Sequence, residues 1–152
     1  MKLTGERLIP TTRQVVWDTL LDPAVLRASI PGCDMLEKKD DENFEAAVTI
    51  KVGPVKAKFA GKVTLSDLVQ PVSCTISGQG NGGVAGFAKG GARITLADEG
   101  DGCRLTYDAD VDIGGKIASL GDRLFRGVVQ KNIDDFFNAV AARVGADSLT
   151  SQ

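Results

Sequence analysis

The sequence predicts an α+β domain: a curved antiparallel sheet of about seven strands gripping one long C-terminal helix, with two short helices after the first strand. Three observations carry this. From Phe44 to Ile113 apolar residues recur at every second position, interrupted only by turn signals. From Gly115 to about Val144 the recurrence becomes helical. Between the first strand-length segment and the alternating stretch lie two short helical patterns, each with its own start signal. At 152 residues the chain has the length of one domain, assigned to residues 1–145, with a polar tail at 146–152.

The elements follow in order. Lys2 to Ile9 has strand length and stops at Pro10. Thr11-Thr12-Arg13-Gln14 offers a capping box, Thr11 standing three residues before Gln14, and Trp17, Leu20 and Leu21 continue at helical spacing. Asp22-Pro23 starts the second helix, Asp as cap and Pro at the first helical position, and Pro31-Gly32 ends it. A short strand follows near Asp34 to Lys39. Phe44, Ala46, Val48, Ile50 and Val52 alternate up to the Gly53-Pro54 turn. Ala57, Phe59, Gly61, Val63 and Leu65 share the inward parity of the next strand, and Val72, Cys74, Ile76, Gly78 and Gly80 that of the one after. Ala92, Ile94 and Leu96, then Cys103, Leu105, Tyr107, Ala109, Val111 and Ile113 complete the meander. Such alternation gives each strand one wet and one covered face. The final helix supplies the apolar stripe that covers the sheet.

Composition excludes several functions. Eighteen basic against twenty acidic side chains leave a net charge of −2, which argues against nucleic-acid binding as the main activity. No apolar run approaches the ~18–20 residues of a membrane span. The first residues lack the basic-then-apolar layout of a secretory leader, so a cytoplasmic protein is expected. There is no histidine, which removes Ser-His-Asp and Cys-His catalysis and the commonest metal ligand. Cys33, Cys74 and Cys103 form no CxxC pair and read as reduced thiols, not as zinc ligands.

The inward parity is uneven in size. Ala57, Gly61, Gly78, Gly80, Ala88, Gly90, Ala92 and Ala109 gather at one end of the meander, and Val63, Leu65, Val72, Ile76, Ile94, Leu96 and Leu105 at the other. Along the helix, Ile117, Leu120, Leu124 and Val128 share one face, while Ile133, Phe136 and Val140 centre elsewhere, and Gly127 between them permits a bend. Two readings stay open. The glycines let the sheet bend and the helix approach closely. Or the small residues leave a cavity under the first half of the helix. Its expected lining is Phe59, Gly61, Gly80, Phe87, Ala92, Tyr107, Ile117, Leu120, Leu124 and Val128, with a mouth near Gly53-Pro54 and the glycine-rich loop.

Other motifs are weaker. Gly78-Gln79-Gly80-Asn81-Gly82-Gly83 matches GxGxxG, but a strand rather than a helix follows, so a mobile hairpin loop is the better reading than a dinucleotide site. Lys89 lacks the context of a phosphate loop. Lys51, Lys56, Lys58 and Lys62 form an outward basic hairpin; Lys51, Lys56 and Lys58 are the candidate surface for a partner or a membrane, against a plain solvated face. Asp108, Asp110 and Asp112 alternate outward and do not form a catalytic carboxylate pair. Arg7 falls on the same parity as Leu3 and Ile9; a charge inside would mark a site, but a slipped register or an edge strand is the simpler reading. Tyr107 is either a ligand hydrogen-bond partner or a core residue satisfied locally. Trp17 reads as the anchor of the first helix, and Cys33 as a partly exposed but inert thiol.

WDTLLDPAVLRASIPGC, KVGPVKAKFAGKVTL, GQGNGGVAGFAKGGARITL and CRLTYDADVDIGGKIASLG together closely resemble the CoxG family of carbon monoxide dehydrogenase accessory proteins. That family belongs to the START-like (SRPBCC) helix-grip superfamily, and the resemblance runs from about Lys2 to Val144. It implies a helix-grip fold around a hydrophobic cavity. It implies a non-catalytic accessory protein of a molybdenum hydroxylase of the carbon monoxide dehydrogenase type, with no covalent cofactor. The implied cargo is a quinone or a lipid, and the implied place is the cytoplasm, with peripheral contact at the inner face of the membrane. The polar ending Ala146 to Gln152 departs from the membrane-reaching tail of the family. An adaptor acting only through its surface is the alternative, and a START-like cyclase or hydrolase the second.

Overall fold

The computed structural model describes the backbone of residues 1–150 and the side chains as far as Val144. The elements are β1 (Lys2–Ile9), α1 (Arg13–Leu20), α2 (Pro23–Ser29), β2 (Cys33–Lys38), β3 (Asn43–Val52), β4 (Val55–Val69), β5 (Ser73–Asn81), β6 (Phe87–Glu99), β7 (Gly102–Gly114) and α3 (Asp122–Thr150). The seven strands form one antiparallel sheet in the order β1-β7-β6-β5-β4-β3-β2. Every neighbouring pair except β1–β7 is a hairpin, so the sheet is a meander whose first strand closes onto its last. The α+β helix-grip architecture is as the alternation predicts.

The two short helices start on the side chains that cap them. The backbone N–H of Ala24 donates to the Asp22 carboxylate at 2.9 Å, with Pro23 at the first helical position. The cap of α1 is Thr12, whose hydroxyl accepts from Val15 N at 3.3 Å; the expected Thr11 box does not form, because Gln14 turns its amide to Asp18 at 3.0 Å. Trp17 is buried and anchors α1 on the sheet.

The final helical segment is not one helix. Lys116–Leu120 is a separate 3₁₀ turn, and Gly121 leaves it at φ +98°, a left-handed conformation that suits glycine. Only then does α3 begin, and it passes Val144 to reach Thr150. The backbone therefore breaks at Gly121, and Gly127 lies within α3. Residues 151–152, and the side chains of 145–150, lie outside the described residues, and with them most of the expected polar tail.

The glycine-rich stretch is mostly sheet: Gly78 and Gly80 belong to β5, Gly90 and Gly91 to β6, and only Gly82 to Gly86 connects them, through a 3₁₀ turn at Gly83–Ala85. Its glycines are needed where the chains touch. A Cβ on Gly86 would run into the carbonyl of Gly114.

The covered face of the sheet holds two apolar clusters. One joins Ile9, Val16, Trp17, Leu96, Cys103, Leu105, Tyr107, Phe137, Val140 and Val144. The other joins Val52, Phe59, Ala85, Ile117 and Phe125, with Leu120 and Val128 packed against it.

Candidate functional site: an apolar cavity between two core clusters

Between the clusters the sheet floor is made of small residues. Register places Ile76, Ala92 and Ala109 in one cross-strand row, and Val63, Gly78, Gly90 and Val111 in the next. Four of these seven positions are alanine or glycine. What remains is a cavity of about 410 Å3. Its floor is Val48, Ile50, Val63, Leu65, Ile76, Ala92, Ile94, Tyr107 and Ala109, and its walls are Leu20, Phe44 and Phe137. Its far side is Leu26 of α2, Ile30 and Pro31 after it, Leu36 of β2, and Val129, Asn132, Ile133 and Phe136 of α3.

The four α3 residues stand at i, i+3, i+4 and i+7, one face of the helix. Leu26, Ile30, Leu36, Val48, Ile50, Val129, Ile133 and Phe136 all face this space and are only half-buried. Apolar side chains that point inward yet keep accessible surface are the mark of an unfilled interior. The volume lies in the range of small-molecule sites, ~300–1,000 Å3. A second recess of about 370 Å3 adjoins it, sharing Val48, Ile50, Val63, Ile76, Ala92 and Ala109 and continuing past Phe59, Gly61 and Gly80.

The expected lining is therefore redrawn. Ala92 and Tyr107 line the cavity. Phe59, Gly61 and Gly80 line the adjoining recess. Ile117, Leu120 and Val128 are packed into the second cluster instead, because the Phe59 ring, Ala85 and Phe125 fill the end that the glycines alone would leave open. Leu124 and Phe87 are on the surface, 41% and 50% exposed. The side not covered by the sheet lies between α2 and the middle of α3, not at Gly53-Pro54. Ile133 and Phe136, which the sequence pattern sets over a filled end, stand over the cavity. The signal that finds it is the 129/132/133/136 spacing.

Two polar groups belong to the lining. The Tyr107 ring stacks on Phe137, centroids 5.5 Å apart. Its hydroxyl accepts from Gln130 Nε2 at 3.3 Å and occupies space that Gly5 leaves open, so it is held locally on the β1 side. The Asn132 amide makes no hydrogen bond among the described residues, although it stands in an apolar wall. Sequence reasoning misses it, because one Asn in a helical stripe carries no signal.

The remaining candidates resolve simply. Arg7 donates to Asn138 Oδ1 on α3 and clamps β1 to the helix. Asp108, Asp110 and Asp112 are exposed on the outer face, as are Lys51, Lys56, Lys58 and Lys62. Burial raises the pKa of Cys74 and Cys103 above the usual thiol value, and also that of half-buried Cys33, whose thiol donates to the Met35 carbonyl at 3.4 Å. All three are inert thiols by this chemistry. Among the described residues no acidic, Cys or His cluster could hold a metal ion. No described helix is long and apolar enough to cross a membrane.

The model of the carbon monoxide dehydrogenase CoxG family matches residues 5–145. No match is found among curated proteins. Among solved structures, a conserved protein from Geobacillus kaustophilus is similar with a TM-score of 0.90 and 28% identity, covering 96% of each chain. A START superfamily protein from Mycobacterium smegmatis is similar at TM-score 0.70 and 12% identity, over 95% of this chain and 97% of that one. An aromatase/cyclase from a Streptomyces is similar at TM-score 0.64 and 15% identity, over 95% and 93%. The last two show the shared fold alone.

Proposed function

The chain belongs to the carbon monoxide dehydrogenase CoxG family, and on that premise we propose that it is a non-catalytic carrier serving a molybdenum hydroxylase of the carbon monoxide dehydrogenase type. It holds one lipophilic molecule, a quinone or a lipid, between the sheet and α3 and presents it to that enzyme. The observation that carries this reading is the cavity itself: about 410 Å3, walled almost wholly by aliphatic and aromatic side chains, between two well-packed clusters. Each methylene moved from water into such a wall contributes about 0.8 kcal/mol, so a prenyl or acyl chain gains most of its affinity without any polar contact.

The lining holds no acid–base pair and no nucleophile, which supports a carrier over the chemistry of the cyclase that shares the fold. The test is native mass spectrometry of the protein purified without organic solvent, with a solvent extract analysed for lipids and quinones. A lipophilic adduct is expected on the wild type and its loss on Ala92→Leu, whose side chain enters the space above the Ile76–Ala92–Ala109 row. Equal adducts on both proteins would place the guest elsewhere. Capture of the hydroxylase by Ala92→Leu as well as by wild type would favour the surface adaptor.

A further inference from the structure

We propose that Phe59 is the length gauge of the cavity: its ring fixes the longest lipophilic tail the protein accepts. The proposal rests on the carrier reading and adds what limits the guest.

The floor can be followed row by row along the strands. Beyond the Ile76–Ala92–Ala109 row lie Gly78 and Gly90, between Val63 and Val111. Beyond those lie Gly61, Gly80 and Ala88, between Ala46 and Ile113. At about 3.4 Å per residue, the run from Ile76 to Gly80 carries this thin floor about 14 Å along β5. The cavity and the adjoining recess share Val63, Ile76, Ala92 and Ala109, so the two are one continuous space. In the other direction the space is closed by the stacked rings of Tyr107 and Phe137 and by the first cluster behind them. A guest that enters between α2 and the middle of α3 therefore has one direction in which to lay a tail.

That direction ends at Phe59. Ala60 pairs with Asn81, so Phe59 stands one row past Gly80, level with Gly82. Its side chain leans across to β5 instead of standing over its own strand. A Cβ on Gly82 would lie 2.8 Å from Cε1 of the ring and 2.9 Å from Cζ, and one on Gly80 would lie 3.5 Å from the Phe59 Cβ. The ring is thus laid across the line that the glycines open, and Gly82 leaves the place in which it sits. Behind it Val52, Ala85, Ile117 and Phe125 form a packed cluster, and Phe59 itself is buried. An aromatic ring backed by close packing is a fixed wall. Ala46, Gly61, Gly80 and Ala88, which also line the recess, have no side chain long enough to stop a tail. Each methylene laid on the floor raises affinity about fourfold, and the gain ceases where the next one would meet the ring.

The experiment measures the affinity of the full chain for a homologous series of straight-chain 2-alkanones, read by the change in Trp17 emission. In wild type the affinity is expected to climb about fourfold per methylene and then to level off at one length. Phe59→Leu moves that length upward, because the shorter side chain withdraws from the glycine line. Ala88→Val, which adds two methyls to the floor in front of the ring, moves it downward. Phe125→Leu loosens the same cluster without lining the recess and leaves the length where it was. Chemical denaturation verifies that each variant is folded. An affinity that climbs without levelling, a length unchanged in Phe59→Leu, or an equal shift in Phe125→Leu overturns the gauge while the carrier reading stands. Failure of every ketone to bind wild type overturns both.

Discussion

Replacing Asn132 by Leu tests whether the cavity selects its guest by a polar head or by shape alone. Asn132 is half-buried, stands among Val129, Ile133 and Phe136, and has no hydrogen-bond partner among the described residues. A guest carbonyl or hydroxyl beside it gains a hydrogen bond worth about 0.5–1.5 kcal/mol net, or about two- to tenfold in Kd. The probes are 2-acetylnaphthalene and 2-isopropenylnaphthalene, which match in shape and differ in one oxygen replaced by a methylene. The ketone-to-hydrocarbon affinity ratio of wild type is expected to exceed that of Asn132→Leu by that factor. In Asn132→Leu the ketone oxygen loses that donor, so the ratio shifts toward the hydrocarbon.

Stability is expected to stay level or rise, because the amide lost bonds nothing in the fold. Trp17, the only tryptophan, reports binding through its emission, since it shares a buried cluster with Leu20 and Tyr107, which line the cavity. An identical ketone-to-hydrocarbon ratio in wild type and Asn132→Leu would refute the reasoning. Binding of neither probe would refute the cavity instead.

Three further outcomes are expected. Gly61→Ala places a methyl inside the Gln79 carbonyl and 2.7 Å from Gly80 Cα, in the middle of the sheet; a loss of about 2–4 kcal/mol is expected in chemical denaturation, and a loss below ~1 kcal/mol would show that β4 and β5 separate easily. The Asp40 carboxylate accepts from Glu42 N, Asn43 N and the Asn43 side chain, and these bonds, led by that from Glu42, hold its pKa below the ordinary 3.8. Its contribution is therefore complete above that value and disappears as pH falls through the lowered one, so Asp40→Asn should lower stability at neutral pH, change it little at pH below the lowered value, and so flatten the acid limb of the stability profile. Alkylation of the native protein near neutral pH, read by mass spectrometry, should spare Cys74 and Cys103 and touch Cys33 only slowly, because burial raises all three thiols; rapid labelling of Cys103 would show that β7 opens.

The sheet is legible in the sequence because its period of two survives every hairpin, and Gly53-Pro54 and Asp98 to Gly102 mark where it turns back. The site is legible only in part. The small residues Ala92 and Ala109 lie in the floor of the cavity, and Tyr107 lies on the covered face that its parity indicates. The roof is misplaced because a helical pattern sets Ile117 and Leu120 in phase with α3. Gly121 at φ +98° ends that phase, and nothing in a helical wheel records a left-handed residue. Gly61 and Gly80 suggest empty space, but the Phe59 side chain fills much of it: its ring lies against Gly82, and its Cβ is 3.5 Å from where a Cβ on Gly80 would stand. Parity identifies which side chains share a face, but not how far a large neighbour leans across it.

The glycines of β5 are not equivalent to the one beside them in β4. Where Gly61 admits nothing, a methyl on Gly78 would rest 3.6 Å from the Lys62 carbonyl and 3.9 Å from Val63, and one on Gly80 would meet Phe59 at an ordinary distance. Both positions border the inner recess. A single methyl added at either position would thus shorten the chamber by one step while the strand pairing beneath stays fixed.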